Sequence, residues 1–558
     1  SDVHLVIKTF ANPHNEVPGL LEQLRDSQPD YPPVTLLMGD YSPGQLRTLY
    51  ESSHAYVAPS RGEGFGLPMA EAMLHGIPVI ATGWGGHADF CTETTSYPIR
   101  YHLNPSSSHV AEEGTSLWAE PDEDHLVELL RAVADGSDEA MPGKVERARQ
   151  LIRSEYTWDA VAARVLAAEM SVRGAAGRDF HDEPLRLGWA STWNEQCGIA
   201  TYSGYLLEHL PAGEFDLKVY GRAGSSKQDG NVALANHWRD ASEPSMSQLV
   251  EAMLADEIEV AVFQFNFGFF NVRALGEAIR MLEQNGVKVV VALHSTRDVD
   301  KPDFKASLRD AEGLGDATRI LVHSLEDLNR LVDMGLGQRA VLFPHGAMDG
   351  PTLDKSCARH RLRIQDDVKI VASYGFMLPH KGLPELVEAF VQVLKKHPDA
   401  YLFMVNSLFP DGVSHALLEQ LSSMLIKSGI RDRVRLFTDF LPEDTSIVLL
   451  QAADVIVFPY QETAESASGA VRFGLAAHRP VACTPLGIFS DLEGHGVRFG
   501  GCSPRTMAED LVRWLSEADI ESVVAGQDRW LRARAWPKLM VRLADMFRGL
   551  VLDSGSNH

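Results

Sequence analysis

The chain has 558 residues, 51 of them basic and 76 acidic, giving a formal net charge of −25. That balance argues against a nucleic-acid partner, whose phosphates require a basic footprint. A composition of 45% hydrophobic and 23% charged residues excludes wholesale disorder, five scattered cysteines cannot staple a chain this long and fit a reducing cytoplasm, and no apolar run approaches the ~18 residues of a membrane span.

The length suggests roughly three or four domains. The chain opens Ser-Asp-Val-His-Leu-Val-Ile-Lys, with neither an initiator Met nor a signal peptide, directly in a strand pattern; this start is expected of a fragment of a longer protein. Short apolar runs at 5–7, 34–38, 55–58 and 79–81 alternate with a helical pattern at 44–52. Strand–helix–strand alternation predicts a parallel sheet covered on both faces, with ligands at the C-terminal ends of its strands. The most informative segment reads Pro59-Ser-Arg-Gly-Glu63-Gly-Phe-Gly-Leu-Pro-Met-Ala-Glu71-Ala-Met-Leu-His-Gly76-Ile-Pro-Val-Ile-Ala-Thr82. A strand ends at Pro59, a glycine-rich loop follows, and a helix begins near Leu67 with Pro68 in its first turn and Gly76 closing it. Free N–H groups at Gly66 and Leu67 form an anion site at that helix start. Glu63 precedes the helix and Glu71 lies about one turn in, so one carboxylate can hold sugar hydroxyls and the other ribose hydroxyls, with phosphates between them. A lone Glu-x7-Glu is usually a solvated pair of acids; its setting between Gly-Phe-Gly-Leu-Pro and Ile-Pro-Val-Ile-Ala-Thr makes the difference.

This segment resembles the donor-site motif of the retaining glycosyltransferases of family four, which have the GT-B fold; Gly85-Gly86 and Asp89-Phe90 follow at the expected place. The resemblance implies an α/β protein in which two Rossmann-like domains face a cleft, preceded by an extra C-terminal-type half-module. It implies that Glu63 contacts the donor sugar, that Gly64, Phe65, Gly66 and Leu67 contact sugar and phosphate, and that Glu71 binds the ribose. Residues 1–180 then resemble only a donor-binding domain, lacking its first strand and the Gly-x-Lys-type phosphate loop, and a tandem transferase is expected whose first acceptor domain lies outside this chain.

Residues 172–184 read as a linker, with Gly and Pro and no apolar periodicity. The second module opens at 185 with a strand, a loop and a helix start at Gly198; the resemblance places this first turn in the cleft, near phosphate or acceptor. His294 ends the buried run Val-Val-Ala-Leu, where a histidine is commonly a core residue, but the family uses one near this position against the donor sugar. His345, in Phe-Pro-His-Gly, reads as a hinge residue at a boundary near 344–351. Asp298-Val-Asp300 matches a short metal motif of a different fold and carries little weight; no metal is expected, and no Cys/His cluster has zinc spacing.

The last third repeats the first. Val34-Thr-Leu-Leu corresponds to Val434-Arg-Leu-Phe, Ala55-Tyr-Val-Ala-Pro to Val455-Ile-Val-Phe-Pro, and Ile77-Pro-Val-Ile-Ala-Thr to Arg479-Pro-Val-Ala-Cys-Thr. The expected organisation is therefore a donor-type domain at 1–180, an acceptor-side domain at 185–347 and a second donor-type domain at 348–558. Lys381, in Ser-Tyr-Gly-Phe-Met-Leu-Pro-His-Lys-Gly, resembles the cation of the family's diphosphate loop, needed because phosphate charge grows as the sugar–phosphate bond breaks; Phe376 stands where the family has an arginine. Glu465 aligns with Glu63, whereas Phe473 replaces Glu71. Ser466, Ser468 and Gly469 can present N–H groups at the following helix, and Arg472 is expected to add a phosphate cation in compensation.

The resemblance implies a cytoplasmic, metal-independent hexosyltransferase that moves a sugar with retention from a nucleotide-diphosphate-sugar to a growing glycan, such as O-antigen. It needs no cofactor beyond that donor. Implied partners are the nucleotide sugar, a glycan or lipid-linked glycan acceptor, and the inner face of the membrane through other synthase subunits. Phe376 and Phe473 leave a second reading open, a catalytically degenerate glycan-binding or scaffolding module within a larger synthase.

Overall fold

The computed structural model describes residues 3–552 apart from 13–14, 29, 107–115, 175–179, 194, 196, 223–232, 302–303, 349, 352, 410–411, 464, 466, 493, 517–519 and 521. The chain forms two compact units, Ser1–Gly174 and Ala175–His558.

The first unit runs β1 (Leu5–Thr9), α1 (Val17–Ser27), β2 (Val34–Met38), α2 (Pro43–Glu51), β3 (Tyr56–Ala58), α3 (Leu67–Leu74), β4 (Val79–Thr82), β5 (Tyr97–Ile99), β6 (Tyr101–Pro105), β7 (Leu117–Pro121), α4 (Glu123–Ala134), α5 (Met141–Glu155) and α6 (Trp158–Gly174). A reciprocal cap starts α2: the Gln45 backbone N–H donates to Ser42 Oγ at 3.4 Å and the Ser42 N–H donates to Gln45 Oε1 at 2.9 Å. The strands do not form one sheet. β1 and β2 pair in parallel, β3, β4 and β5 form a separate parallel sheet, and β6 and β7 form an antiparallel hairpin. The core lies on β3, α3, β4 and α5, where Ala58, Met69, Met73, Val79, Phe90 and Ile152 meet, while α1 and α2 bury no residue.

The second unit continues with β8 (Leu185–Ala190), α7 (Gly198–Glu208), β9 (Phe215–Arg222), β10 (Ala233–Trp238), α8 (Ser247–Ala255), β11 (Val260–Phe265), α9 (Val272–Gln284), β12 (Lys288–Leu293), β13 (Val299–Lys301), β14 (Phe304–Ala306), β15 (Arg319–Val322), α10 (Leu325–Asp333) and β16 (Ala340–Leu342). There follow α11 (Lys355–Leu362), β17 (Ile370–Phe376), α12 (Leu383–Val393), β18 (Tyr401–Ser407), α13 (Val413–Lys427), β19 (Val434–Phe437), α14 (Glu443–Gln451), β20 (Val455–Phe458), α15 (Gly469–Leu475), β21 (Val481–Cys483), β22 (Val497–Arg498), α16 (Pro504–Ser516), α17 (Val523–Ala533) and α18 (Trp536–Leu552). One sheet has the order β10-β9-β8-β11-β12-β15-β16 and the other β19-β18-β17-β20-β21-β22, and neighbours in both are parallel. Such strands are buried on both faces, which is why β11 reads Val-Ala-Val-Phe-Gln-Phe without alternation and buries every residue.

Helix α18 follows the six-stranded domain in sequence but belongs to the core of the other. Trp536, Leu539, Met540, Leu543 and Phe547 pack with Leu185, Leu187, Trp189, Val260 and Val290, each contributing roughly 1.5–3 kcal/mol by burial. The chain returns through a bridge between Ala347 and Ala535 and an ion pair between Arg548 and Glu214. A boundary drawn at 348–558 does not anticipate this return, which the apolar stripe of α18 dictates.

Candidate active site

In the first unit, the loop between β3 and α3 carries both acids of the sequence motif. Ser60 donates to Glu63 Oε1 at 3.3 Å, and Tyr50 donates from its hydroxyl to Glu71 Oε2 at 3.0 Å. Burial first, then the charges of Glu63 and Glu71, push the Tyr56 hydroxyl above its ordinary pKa. Burial and the bond to Glu71 raise Tyr50 in the same sense. Gly64, Phe65, Leu67 and Glu71 are exposed, and Phe65 rests on Phe90 and Tyr156, with ring centroids 5.3 and 5.8 Å away. Two glycines make this loop. Gly66 has φ +87°, and a Cβ there would lie 2.8 Å from His87 Cβ and from Met69 Sδ. A Cβ on Gly86 would lie 1.9 Å from the Gly64 carbonyl oxygen, because the Gly86 N–H donates to Glu63 O at 2.9 Å. His87 beneath the loop is fixed by a 2.6 Å bond between Nε2 and Thr82 O.

In the second unit, Lys381 follows β17 by five residues. It is buried, its Nζ lies 3.3 Å from Glu465 Oε2 and 4.1 Å from the centroid of the Tyr460 ring. Burial disfavours its charge, but Tyr460 and Glu465 more than offset that, and its pKa stands above the ordinary lysine value. His380 lies 3.6 Å from Glu465 Oε1; burial first, then the Lys381 charge, with Glu465 opposing, push it down to about 4. Glu465 also lines a cleft of about 120 Å³ together with Thr463 and Gly487 from its own domain and Arg297, Ser324 and Asp327 from the seven-stranded domain. Tyr460 in turn shares a 2.9 Å hydroxyl contact with Ser468, the cap of α15, whose Oγ accepts from the Val471 N–H.

Across the cleft three histidines follow consecutive strands of the seven-stranded sheet: His294 after β12, His323 after β15 and His345 after β16. Their rings surround Tyr202 of α7 at 4.9, 5.3 and 5.2 Å. His294 Nε2 bonds Gln264 Oε1 at 2.7 Å, His323 Nδ1 bonds Phe343 O at 2.9 Å, and His345 Nδ1 bonds Gly346 O at 2.8 Å. A Cβ on Gly469 would lie 3.8 Å from His345 Nε2. His294, Tyr202, His345, Gly469, Ser468, Tyr460, Lys381 and Glu465 thus form one line of neighbours across the cleft. Gly198 starts α7 in open space, with no atom within 4 Å of a Cβ placed there, so no close neighbour demands glycine. Ser466 lies outside the described residues.

Arg472 departs from its expected role. It is buried; its Nη1 donates to Ser468 O at 2.8 Å, its Nη2 pairs with Asp491, and its guanidinium lies over Trp530. In this arrangement its guanidinium is engaged by Asp491 and the Ser468 carbonyl rather than presented to the donor loop. Phe473 stacks on Tyr374 at 4.4 Å, and Phe376 packs with Phe409 and Phe440. Asp300 pairs with Lys305 at 2.7 Å in the β13–β14 hairpin. Sequence reasoning missed His323 and Tyr202; the signal for the first was the recurrence of a histidine directly after an apolar strand run.

Burial is the first cause that holds all three imidazoles below their ordinary value, reinforced at His294 by His323, and at His345 by Arg472 and His323. Such groups bind protons more readily unfolded than folded at acid pH. Their effect vanishes above the unfolded pKa of about 6.5 and grows as pH falls below it, with a slope of up to ~1.4 kcal/mol per pH unit for each group. The urea midpoint of the second unit is expected to drop between pH 7.5 and 5.5, and His323→Asn to flatten that dependence; equal midpoints at the two pH values refute it.

Two parallel Rossmann-like sheets facing a cleft, with acidic and basic side chains at the strand ends, define the GT-B architecture of glycosyltransferases. Sequence models described as glycosyl transferases group 1 match residues 11–111 and, separately, residues 354–523. Among curated relatives, a D-inositol 3-phosphate glycosyltransferase of Corynebacterium efficiens is 27% identical over 270 residues, covering 45% of this chain and 61% of that protein. The enzyme of the same name from Streptosporangium roseum is 26% identical over 296 residues, covering 49% and 66%. The chain thus matches somewhat less than two thirds of these relatives' length. In fold it is similar to the sucrose-phosphate synthase of Thermosynechococcus elongatus (TM-score 0.53, 17% identity, 66% of this chain and 99% of that one). It is also similar to Anabaena HepE solved with UDP (TM-score 0.53, 14% identity, 65% and 100%). These matches support a group 1 glycosyltransferase. No described helix is long and apolar enough to cross a membrane.

Proposed function

We propose that the protein moves a sugar, with retention at the anomeric carbon, from a nucleoside-diphosphate sugar to a growing surface glycan such as O-antigen, working in the cytoplasm at the inner face of the membrane on a glycan or lipid-linked glycan. The observation that carries this reading is the first-unit loop, where Glu63 stands before the exposed start of α3 and Glu71 lies about one turn into it. Glu63 holds the donor sugar and Glu71 the ribose, with phosphate oxygens on the amides between them. At the second unit's own donor loop, where Glu465 corresponds to Glu63, Lys381 takes the growing phosphate charge, without a metal ion. The bond from the anomeric carbon to the phosphate oxygen breaks while a bond to the acceptor oxygen forms on the same face, and the acceptor proton passes to the departing phosphate.

A panel of GDP-, UDP-, ADP- and TDP-sugars identifies the donor, and NMR of the product reads its anomeric configuration. Glu71→Ala is expected to weaken nucleotide binding ~10–100-fold, since one charge-assisted bond contributes roughly 1.5–3 kcal/mol. An inverted product, or affinity unchanged in the variant, refutes the assignment.

The stacking of Phe473 on Tyr374 favours a second reading for the second unit alone. With a ring where the ribose carboxylate is expected, this unit serves as a glycan-binding or scaffolding module. Calorimetric stoichiometry separates the two: two nucleotides per chain support an active second unit, one supports the scaffold.

A further inference from the structure

We propose that the cleft of the second unit binds a hexose 1-phosphate, a sugar that carries its own phosphate and no nucleoside. This rests on the reading of the Glu465 loop as a donor loop and changes the ligand class that the loop takes. The two loops superpose residue for residue. Tyr56 pairs with Val79 as Ile456 pairs with Val481, and α3 and α15 each begin four residues past an acid, Glu63 in one unit and Glu465 in the other. The fifth residue of the helix is then Glu71 in the first unit and Phe473 in the second. Glu71 is exposed and accepts from the Tyr50 hydroxyl, so an acceptor for hydroxyl groups stands open on α3. At the same place on α15, Phe473 is 8% exposed and lies flat on Tyr374, the ring centroids 4.4 Å apart and the planes 13° apart.

Beside this ring pair the end of β17 closes on the start of the helix: a Cβ on Gly375 would lie 3.1 Å from Ala470 Cβ. A ribose set here would turn its hydroxyls toward hydrocarbon, losing their bonds to water with no acceptor in return. The rings thus select against a nucleoside by an unfavourable contact rather than by a missing one. The groups for a sugar and a phosphate are nonetheless in place. Lys381 is buried with its Nζ 3.3 Å from Glu465 Oε2; the carboxylate can accept from sugar hydroxyls and the ammonium can donate to a phosphate oxygen. Two such groups in contact fit a phosphate joined directly to the sugar ring. The cleft that Glu465 lines holds about 120 Å³, with Arg297, Ser324 and Asp327 on its far wall. That is well under the roughly 300–1,000 Å³ of common small-molecule sites, and it suits one ring with one phosphate better than a nucleotide sugar.

The test titrates the whole chain calorimetrically with glucose 1-phosphate, galactose 1-phosphate and mannose 1-phosphate, first alone and then with UDP, GDP, ADP or TDP in saturating excess. One of the three is expected to bind at a single site per chain, with an affinity that excess nucleotide leaves unchanged. Lys381→Met is expected to weaken it ~10–100-fold, the loss of one charge-assisted contact. Glu465→Gln, at a side chain 47% exposed, is expected to weaken it ~10-fold and keeps the test decisive if the buried lysine variant does not fold. The nucleotide titration reads the first unit and the hexose 1-phosphate titration the second, so a failed donor reading and a failed site are told apart. Binding by none of the three, displacement by nucleotide, tighter binding of glucose carried on an isoprenyl phosphate, or unchanged affinity in both variants overturns the proposal.

Discussion

Gly86→Ala is expected to abolish donor binding at the first unit while leaving the rest of that unit folded. The added methyl would sit 1.9 Å from the Gly64 carbonyl oxygen and 3.3 Å from Phe65 Cα, both backbone atoms that cannot turn aside as a side chain can. The loop at 63–67 must move as a body, taking Glu63 and the free amides with it. Overpacking of this kind costs about 1–3 kcal/mol in stability, and two misplaced amide-to-phosphate bonds at roughly 1.5–3 kcal/mol each correspond to ~100-fold or more in affinity. The core of Met69, Met73, Val79 and Ile152 is not touched by the change. Calorimetry with the preferred nucleotide, beside a circular-dichroism melt, measures both effects; full affinity in the variant would show that the loop does not hold the donor.

Arg472→Met is expected to destabilise the second unit by about 3–5 kcal/mol, the usual result of leaving one member of a buried ion pair alone. Asp491 keeps its carboxylate largely enclosed and loses its partner. Replacing both, as Arg472→Met with Asp491→Leu, should recover most of the loss, because an apolar pair of similar volume can substitute for a buried salt bridge. A phosphate-binding arginine would behave in the opposite way, weakening nucleotide affinity and leaving the urea midpoint where it was. The double variant separates these outcomes.

Much of the frame was legible in the sequence because parallel strands buried on both faces appear as unbroken apolar runs. Val34–Met38 has the expected bounds, and Val434–Phe437, Val455–Phe458 and Val481–Cys483 fall within the repeated apolar segments. Strand β9 escaped notice since Phe-Asp-Leu-Lys-Val-Tyr-Gly-Arg alternates polar with apolar near the sheet edge, and β22 is only Val497 and Arg498. At the site, the motif residues Glu63 and Glu71 were visible because glycine, proline and acid fall at fixed offsets in one segment. The partner of Arg472 was not: Asp491 lies nineteen residues away on a different element, and no local spacing links them. The histidine cluster had the same difficulty, since a sheet brings together strand ends that are far apart in the chain.

The return of α18 has a consequence for how the molecule is made. Leu185 and Trp536 belong to one core, yet more than three hundred residues, including a whole second sheet, are synthesised between them. During vectorial synthesis the seven-stranded domain waits with an apolar face uncovered until residues 536–552 have left the ribosome. The six-stranded sheet, synthesised in one contiguous stretch, can close first. The domain that begins earlier in this unit is thus the one that finishes later, and during that interval its greasy surface depends on chaperones or on speed.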